Sequence, residues 1–354
     1  MRAKGMTYDT GFVRAGHLSR KHFDPDLVRR DLTVIRDELH CTAVQVIGGD
    51  PGRIELAAGV AAELGLEVWF SPYPLQLEPD QVLELFRDCA RRAERLRRTG
   101  AEVVFVTGVE LSLMNPGFLP GDTTGQRVAA LTDAPARRRA ELVADLGRRL
   151  DAFFAQAVPA VRAEFGGRVT YCAVPLERID WTPFDIVSVE LIRSAEIADR
   201  FRDGVRALVA QGKPVAMTGF GSAVWRGAPD VAPRSMEIVE EDGAGNPVRL
   251  TDRFERDEDG QARYLREVLG VFDSEGVDAA FVFLFALENY PHRPEGDPRD
   301  DLDLASPGLV RVLSDGVTWQ PKAGFHAVAE VYGGRHHRQI AGQPPAAGPE
   351  WADA

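Results

Sequence analysis

Five carboxylates stand at or just beyond the ends of short apolar segments in the sequence. They are Asp9, Glu110, Glu177, Glu190 and Glu288. A carboxyl group held against apolar walls keeps its proton more readily, which is the property that a general acid requires. Glu110 carries the clearest signal, because the long apolar run Val103–Val109 stops at this acid and a loop containing Gly and Pro follows. The pattern predicts proton transfer, with Glu110, Glu190 and Glu288 as candidate catalytic residues and Asp9 and Glu177 as candidate substrate-binding residues.

Each of these carboxylates also has a structural interpretation, which the sequence leaves open. Glu110 could form an ion pair with Arg127 in the following loop, and Glu190 could pair with Arg193 or a neighbouring strand. Structural ion networks perturb acids as catalytic sites do. For Glu177, which lies in a polar loop, a salt bridge is the simpler account.

Aromatic residues cluster in the same parts of the sequence. Aromatic faces stack on sugar rings or hydrocarbon skeletons and exclude water from a pocket. The aromatic residues predicted to line such a pocket are Tyr8, Trp69, Trp181, Trp225, Phe285 and Tyr290. For any one of them, core packing is the stronger alternative. Trp181 and Trp225 are the best candidates for pocket walls, because they fall in loops beyond strand ends.

One acidic segment raises the question of metal binding. The run 297–303 contains Asp300, Asp301 and Asp303, which could hold Mg²⁺ for a diphosphate substrate. Solvated loop charges explain the run more simply. The histidine pair at 336–337 is nonspecific, and three widely spaced cysteines argue against a disulfide framework or a structural zinc site. We therefore predict no cofactor.

The elements that must position these residues alternate along the chain, as parallel strands joined by crossover helices do. The predicted strands are 4–10, 43–48, 67–72, 102–110, 169–175, 186–192, 214–220 and 279–287. The predicted helices are 25–39, 51–64, 79–99, 134–164, 195–211, 260–274 and 322–332, with a short helix or none between strands five and six. Eight strand–helix units predict an α/β fold, a closed (β/α)8 TIM barrel. An open doubly wound sheet is disfavoured, because the sequence has no G-x-G-x-x-G and no P-loop motif.

The connections after strands four, seven and eight are long, at 115–133, 222–259 and 289–308. In barrels the loops after the strands build the site, and long loops often act as lids. Within the second of them, the segment 237–250 predicts an inserted hairpin. We expect a single barrel domain over 1–335 and a flexible C-terminal tail over 336–354.

The composition is that of an ordinary globular protein. The 354 residues are 44% hydrophobic and 27% charged, which excludes wholesale disorder. With 42 Lys and Arg against 54 Asp and Glu, the net charge is −12 and the arginines are scattered, so nucleic-acid binding is disfavoured. The sequence shows neither a signal peptide nor a membrane-spanning run, so we expect a cytoplasmic protein with a small-molecule substrate and no membrane partner. The oligomeric state is left open.

Several short motifs occur together in barrel order. They are Gly5-Met-Thr-Tyr-Asp9, Glu110-Leu-Ser-Leu113 with Gly117-Phe-Leu-Pro-Gly-Asp122, Asp180-Trp181 with Phe184-Asp-Ile-Val187, Gly212-Lys-Pro-Val215 with Phe220-Gly221 and Arg226-Gly-Ala228, and Asp301-Leu-Asp-Leu-Ala-Ser306 with Trp319-Gln-Pro-Lys322. As a set, over residues 4 to 333, they make the chain resemble (β/α)8 glycoside-hydrolase-like proteins of the retaining-glycosidase superfamily. The resemblance implies that Glu110 is the acid/base and that a Glu ending strand seven is the nucleophile.

The sequence departs from that pattern where the chemistry would occur. The strand-seven stretch reads Thr218-Gly-Phe-Gly221, so Gly219 stands at the nucleophile position without a side chain. Gln45 stands where an Arg is usual and Val109 where an Asn is usual, and we count Gln45 and Gly219 among the candidate substrate-binding residues. Loss of the nucleophile removes the main reason to keep that Arg, because an unpaired buried charge is costly. The changes indicate a pocket repurposed away from double displacement, or a second carboxylate supplied from elsewhere.

Four functions fit these observations. In the working hypothesis Glu110 is a general acid/base acting on a small, partly apolar or glycosylated molecule, as in a cyclase, isomerase or lyase. The alternatives are a glycosidase in which Glu190 or Glu288 is a displaced second carboxylate, and a sugar- or ligand-binding barrel without catalysis. Mg²⁺-dependent chemistry at the aspartates of 297–303 is the weakest of the four.

Overall fold

The computed structural model describes residues 1–14, 17–243 and 245–334. Eight parallel strands form a closed barrel. They are β1 Ala3–Asp9, β2 Ala43–Gly48, β3 Glu67–Pro72, β4 Val103–Val109, β5 Arg168–Ala173, β6 Val187–Val189, β7 Val215–Phe220 and β8 Ala279–Val282. Each strand pairs with the next along the chain, and β8 pairs with β1. The predicted (β/α)8 fold is confirmed, although β6 and β8 are shorter than predicted.

Helices surround the barrel and extend into its loops. They are α1 Pro25–Asp37, α2 Pro51–Glu63, α3 Pro79–Arg97, α4 Leu111–Met114, α5 Thr124–Thr132, α6 Ala136–Glu164, α7 Ala198–Val209, α8 Glu258–Ser274 and α9 Ala323–Tyr332. The first two begin alike: Asp24 and Asp50 accept hydrogen bonds from backbone N–H groups of the first turn, and a proline follows each. In the fully described segment between β5 and β6 there is only the 3₁₀ turn Pro175–Glu177.

The lower part of the barrel interior is filled by apolar side chains. Trp69 of β3 and Phe281 of β8 pack with ring centroids 4.6 Å apart, next to Val104 of β4. Because this layer closes the barrel toward the amino ends of its strands, space for a ligand remains only at the carboxyl ends.

The predicted long connections carry structure of their own. The loop after β4 contains α4 and α5, and the loop after β7 contains the 3₁₀ segment Ala228–Arg234. The predicted hairpin is confirmed as an antiparallel pair, Val239–Glu241 with Pro247–Leu250. A second pair, Val310–Val312 with Trp319–Pro321, is absent from the sequence prediction.

One sequence prediction falls on residues that the structure does not describe. The proposed tail 336–354, including the histidine pair, lies outside the described residues. None of the described helices combines the length and the apolar character needed to span a membrane.

Candidate active site

A bulge at the end of β4 directs Glu110 into the mouth of the barrel. The register between β4 and β5 shifts between Val106 and Val109, and Gly108 within this step has a φ of +88° that L side chains rarely adopt. Glu110 itself is left-handed, with φ 46° and ψ 41°, and its backbone N–H donates to the carbonyl of Cys172 over 3.0 Å. Non-glycine residues held in this conformation are uncommon and cluster at functional sites.

Glu190, which directly follows β6, occupies the space beside Gly219 of β7. A Cβ atom at position 219 would lie 2.6 Å from the carboxyl carbon of Glu190 and 2.6 Å from one of its oxygens. Gly219 also has a φ of +70°. A side chain at 219 is therefore opposed by contact and by backbone conformation. Strand six thus places a carboxyl group next to the position where strand seven has none.

The carboxyl groups of Glu110 and Glu190, called the dyad below, lie close enough to share a hydrogen bond and to shift each other's pKa. Burial raises the pKa of Glu190 well above its usual range, and the neighbouring Glu110 raises it further. Burial also raises the pKa of Glu110, while hydrogen bonds from Glu190 and Tyr73 oppose the rise; the Tyr73 hydroxyl donates to Oε2 over 3.2 Å. Adjacent enclosed carboxyls cannot both ionise readily, which favours one proton shared by the pair, and the rise in pKa is the larger for Glu190.

No lysine or arginine within the described part of the chain forms an ion pair with the dyad. Arg127 instead donates to two backbone carbonyls in the loop after β4, and Arg193 pairs with Glu267 over 3.2 Å. The ion pairs considered for Glu110 and Glu190 are therefore not formed. The proton of the dyad compensates for the missing cation.

Glu177 supports the turn that follows Glu110. Its Oε1 accepts hydrogen bonds from the Tyr171 hydroxyl at 2.7 Å and from the backbone N–H of Ser112 at 3.2 Å. The same hydroxyl accepts from the backbone N–H of Leu111 at 2.8 Å. Burial raises the pKa of Glu177 to about 7. Glu177 lies behind the wall of the cavity and holds the first turn after Glu110 in place.

A cavity of about 310 Å³ lies above the dyad. Its other polar side chains are Thr7, Gln45, Tyr73 and Ser235. Apolar side chains make up most of the wall, among them Ile47, Val109, Met114, Ile192, Met236 and Phe283. Of the site residues predicted from the sequence, the structure brings Glu110, Glu190, Gln45 and Gly219 together here.

Two predicted aromatic residues of the strands lie elsewhere. Tyr8 points outward and donates to Asp31 of α1 over 3.2 Å, because side chains alternate along a strand and its neighbour Thr7 lines the cavity. Trp69 points inward but in the lower layer, where its indole N–H donates to Glu67 over 2.9 Å.

The predicted aromatic residues beyond the strands have separate places. Phe285 packs edge-on against Trp319, with centroids 5.3 Å apart, and Trp181 packs against Phe184 at 5.7 Å. The indole N–H of Trp225 donates over 2.8 Å to the carbonyl of Ser235, which makes Trp225 a support for the cavity wall. Tyr290 lines a neighbouring cavity described below.

Glu288 and Asp9 are not brought to the dyad. Glu288 accepts a hydrogen bond from the backbone N–H of Lys21 at 2.8 Å and lies 3.1 Å from Nδ1 of His22, at the rim of the barrel. Asp9 is buried and accepts from the backbone N–H of Gly11 at 2.6 Å; burial raises its pKa to about 6. Catalysis by Glu288 therefore finds no geometric support.

The aspartates of the acidic run are held by cations of the chain itself. Arg256 donates to Asp301 at 3.0 Å and to Asp303 at 2.8 Å, and Nζ of Lys322 lies 2.7 Å from Asp303. Asp300 ends the 3₁₀ turn Pro298–Asp300. The described residues contain no group of three or more His, Cys, Asp or Glu side chains suited to a metal ion. The run is an ion-pair network, and the Mg²⁺ interpretation is corrected accordingly.

Sequence reasoning missed several residues of the site. Tyr73 directly follows β3 and belongs to the aromatic residues that cluster at strand ends, but it was not among those predicted to line the pocket. Met114 and Met236 come from the loops after β4 and β7, and no periodicity in the sequence marks them.

Solved glycoside hydrolases share this fold. A GH113 β-1,4-mannanase solved as a complex matches with a TM-score of 0.58 at 15% identity, over 95% of this chain and 100% of that chain. The GH113 β-mannanase AaManA from Alicyclobacillus acidocaldarius, in complex with ManMIm, gives 0.54 at 17% identity, over 94% and 97%. A family 1 β-glucosidase from Thermotoga maritima gives 0.53 at 11% identity, over 94% and 97%.

These similarities establish a glycoside-hydrolase-like (β/α)8 fold. No family model matches the sequence, and the comparison with curated proteins finds no match.

Proposed function

We propose that this protein is an acid–base enzyme whose dyad transfers protons on a small, largely apolar molecule, in a reaction of the cyclase, isomerase or lyase type. The observation that carries the proposal is the contact between Glu110 and Glu190 at the floor of an apolar cavity, where no cation of the described residues forms an ion pair with either. A carboxylic acid next to a carboxylate supplies a proton donor and an acceptor at one place.

The proton count of the dyad favours reactions that consume no net proton. In an elimination, for example, Glu110 takes a C–H proton while Glu190 protonates the leaving oxygen. The C–H electron pair forms the new double bond, and the C–O pair leaves with the oxygen as water or an alcohol. Return of a proton from Glu110 to Glu190 along their hydrogen bond restores the starting state. Isomerisation and ring closure balance in the same way.

The walls of the cavity favour a hydrocarbon skeleton over a sugar. Each hydroxyl of a buried sugar needs a hydrogen-bond partner, and an unpaired one costs about 1–3 kcal/mol. Beyond the dyad, this cavity offers only Thr7, Gln45, Tyr73 and Ser235 as polar side chains. A substrate with one or two oxygen functions is better matched to this supply.

Mass spectrometry of products tests the proposal. Apolar alcohols, ethers, epoxides and cyclic ketones are incubated with the wild type, Glu110→Gln, Glu190→Gln and, as a matched control at the rim, Glu288→Gln. We expect turnover of at least one class, a loss of about 10²- to 10⁴-fold in the two dyad variants, and wild-type turnover in the control. Turnover that survives Glu110→Gln would overturn the assignment.

The position of Glu190 beside Gly219 favours one other function, a glycosidase in which Glu190 is the displaced nucleophile. Retention requires carboxyls about 5–5.5 Å apart, so the hydrogen-bonded pair would have to separate around the sugar. A 2-deoxy-2-fluoro aryl glycoside is the discriminating probe. A stable adduct on the peptide containing Glu190 would establish this alternative, and its absence together with turnover of an apolar substrate supports the main proposal.

A further inference from the structure

A second cavity adjoins the one that contains the dyad. It has a volume of about 220 Å³. The side chains that line both cavities are Tyr73, Met114, Met236 and Phe283, called the waist below. Because the two cavities share these walls, they are direct neighbours, and a ligand held at the dyad needs to pass only these four side chains to reach the second cavity.

The second cavity is apolar where it meets the waist. Phe12, Leu75 and Leu287 line it but not the first cavity, and the Phe12 ring packs edge-on against Tyr73 with centroids 5.1 Å apart. Two of the four waist residues are methionines, whose flexible side chains adapt to the shape of an apolar ligand.

A third cavity, of about 420 Å³, marks where the apolar region ends. The second cavity includes one acidic residue, Glu241. It shares Ser19, Asn246, Pro247 and Asn289 with the third cavity, which adds the charged residues Lys21, Glu288, Arg293 and Asp315. Polarity therefore changes twice along this path, from the carboxyls of the dyad to apolar walls and then to a polar rim.

We propose that the second cavity binds a hydrocarbon tail of the substrate, whose oxygen function lies at the dyad. This inference rests on the proposed function and narrows its substrate class to elongated, amphiphilic molecules. The tail passes the waist, packs against Leu75 and Leu287, and stops at the polar rim. Each methylene that leaves water for apolar walls increases affinity about fourfold.

Calorimetric titration of the full chain with straight-chain 1-alkanols, from butanol to dodecanol, tests the inference. For the wild type, we expect affinity to rise about fourfold per methylene and then to level off when the tail reaches the polar rim. Leu75→Trp shortens the cavity and moves the plateau to shorter alcohols, whereas Leu75→Ala moves it to longer ones. Val128→Trp introduces the same ring at an exposed position and leaves the plateau in place.

If Leu75→Trp fails to fold because its ring is too large for the site, Leu75→Ala still tests the inference, because it removes volume instead of adding it. A plateau that ignores both changes at Leu75, or affinity that does not depend on chain length, overturns the inference. The result is independent of turnover, because it measures binding. If the plateau moves but turnover survives Glu110→Gln, the tail site stands and the proposed function is rejected. If the plateau does not move but Glu110→Gln abolishes turnover, the proposed function stands and the tail site is rejected.

Discussion

Two pairs of buried carboxyl groups in this protein differ in whether a cation lies beside them. Asp301 and Asp303 receive Arg256, and Lys322 adds a second cation to Asp303. Glu110 and Glu190 interact with each other and with the Tyr73 hydroxyl, and no cation in the described part of the chain forms an ion pair with either of them. Cations of the chain compensate the first pair, whereas burial and the mutual contact of the carboxyls favour a retained proton in the second.

The two pairs of carboxyl groups differ in what they contribute to the stability of the fold. A buried ion pair fixes the loops that it joins, because removing either partner leaves an uncompensated charge. A carboxyl pair without a cation contributes no such attraction, and its raised pKa values lower stability where the unfolded chain would ionise. The proposed proton transfer offers a reason for placing such a pair at the ends of β4 and β6.

The largest effect is expected at the compensated pair. Lys322→Met leaves Asp303 with one cation fewer in a fully buried site, and we expect a loss of about 3–5 kcal/mol in the free energy of unfolding, measured with urea. Lys21→Met, the same change at an exposed position, should stay within about 0.5 kcal/mol of the wild type. Equal effects in the two variants would show that the network is not compensating buried charge.

A smaller effect is expected where the dyad meets β7. Gly219→Ala places a methyl group against Glu190 at a left-handed position, and we expect a loss of about 1–3 kcal/mol. Glu190→Ala should relieve the contact part of this loss, whereas Glu190→Gln, which keeps the volume, should not. Gly204→Ala in α7 meets no neighbour and serves as the control. If Gly219→Ala lowers the free energy of unfolding equally with Glu, Ala or Gln at position 190, the loss comes entirely from the backbone conformation at 219.

This contact also shows where sequence reasoning stops. The alternation of apolar runs predicted all eight strands, and the rule that parallel strands meet at their carboxyl ends selected Glu110 and Glu190. The approach of Glu190 to Gly219 depends on the stagger between β6 and β7, which no local pattern encodes. The sequence therefore shows that position 219 lacks a carboxylate, but it leaves open whether Glu190 or Glu288 supplies the second one.

The prediction for Tyr8 failed for a related reason. Tyr8 was assigned to the pocket because it lies near a strand end, but the register of β1 turns Thr7 inward and Tyr8 toward α1. Glu288 was predicted to lie at the end of strand eight. In the structure β8 ends at Val282, six residues earlier, so Glu288 lies at the rim of the barrel. The sequence shows where along the chain the strands lie. The direction in which each side chain points and the length of each strand are set by tertiary packing.

The pH dependence of the free energy of unfolding tests whether the dyad retains a proton. The raised pKa of Glu190 means that the folded protein keeps a proton which the unfolded chain releases above about pH 4.3. The wild type should therefore lose stability as the pH rises above that value. Glu190→Gln does not titrate, so its unfolding free energy relative to the wild type should increase between pH 5 and pH 8. Glu288→Gln is the control, and parallel curves for wild type and Glu190→Gln would contradict the shared proton.

The smallest effect concerns the only hydroxyl that the structure shows donating to the dyad among the described residues. The hydrogen bond from Tyr73 lowers the pKa of Glu110, because it stabilises the charged form. Tyr73→Phe removes this donor, so the pKa of Glu110 should rise and the acidic limb of the pH–rate profile should move to higher pH. Tyr8→Phe deletes a hydroxyl that serves Asp31 behind β1 and should leave that limb unchanged. If Tyr73→Phe moves the limb to lower pH or leaves it in place, Glu110 is not the group that must ionise before the reaction, and the roles assigned within the dyad would have to be exchanged.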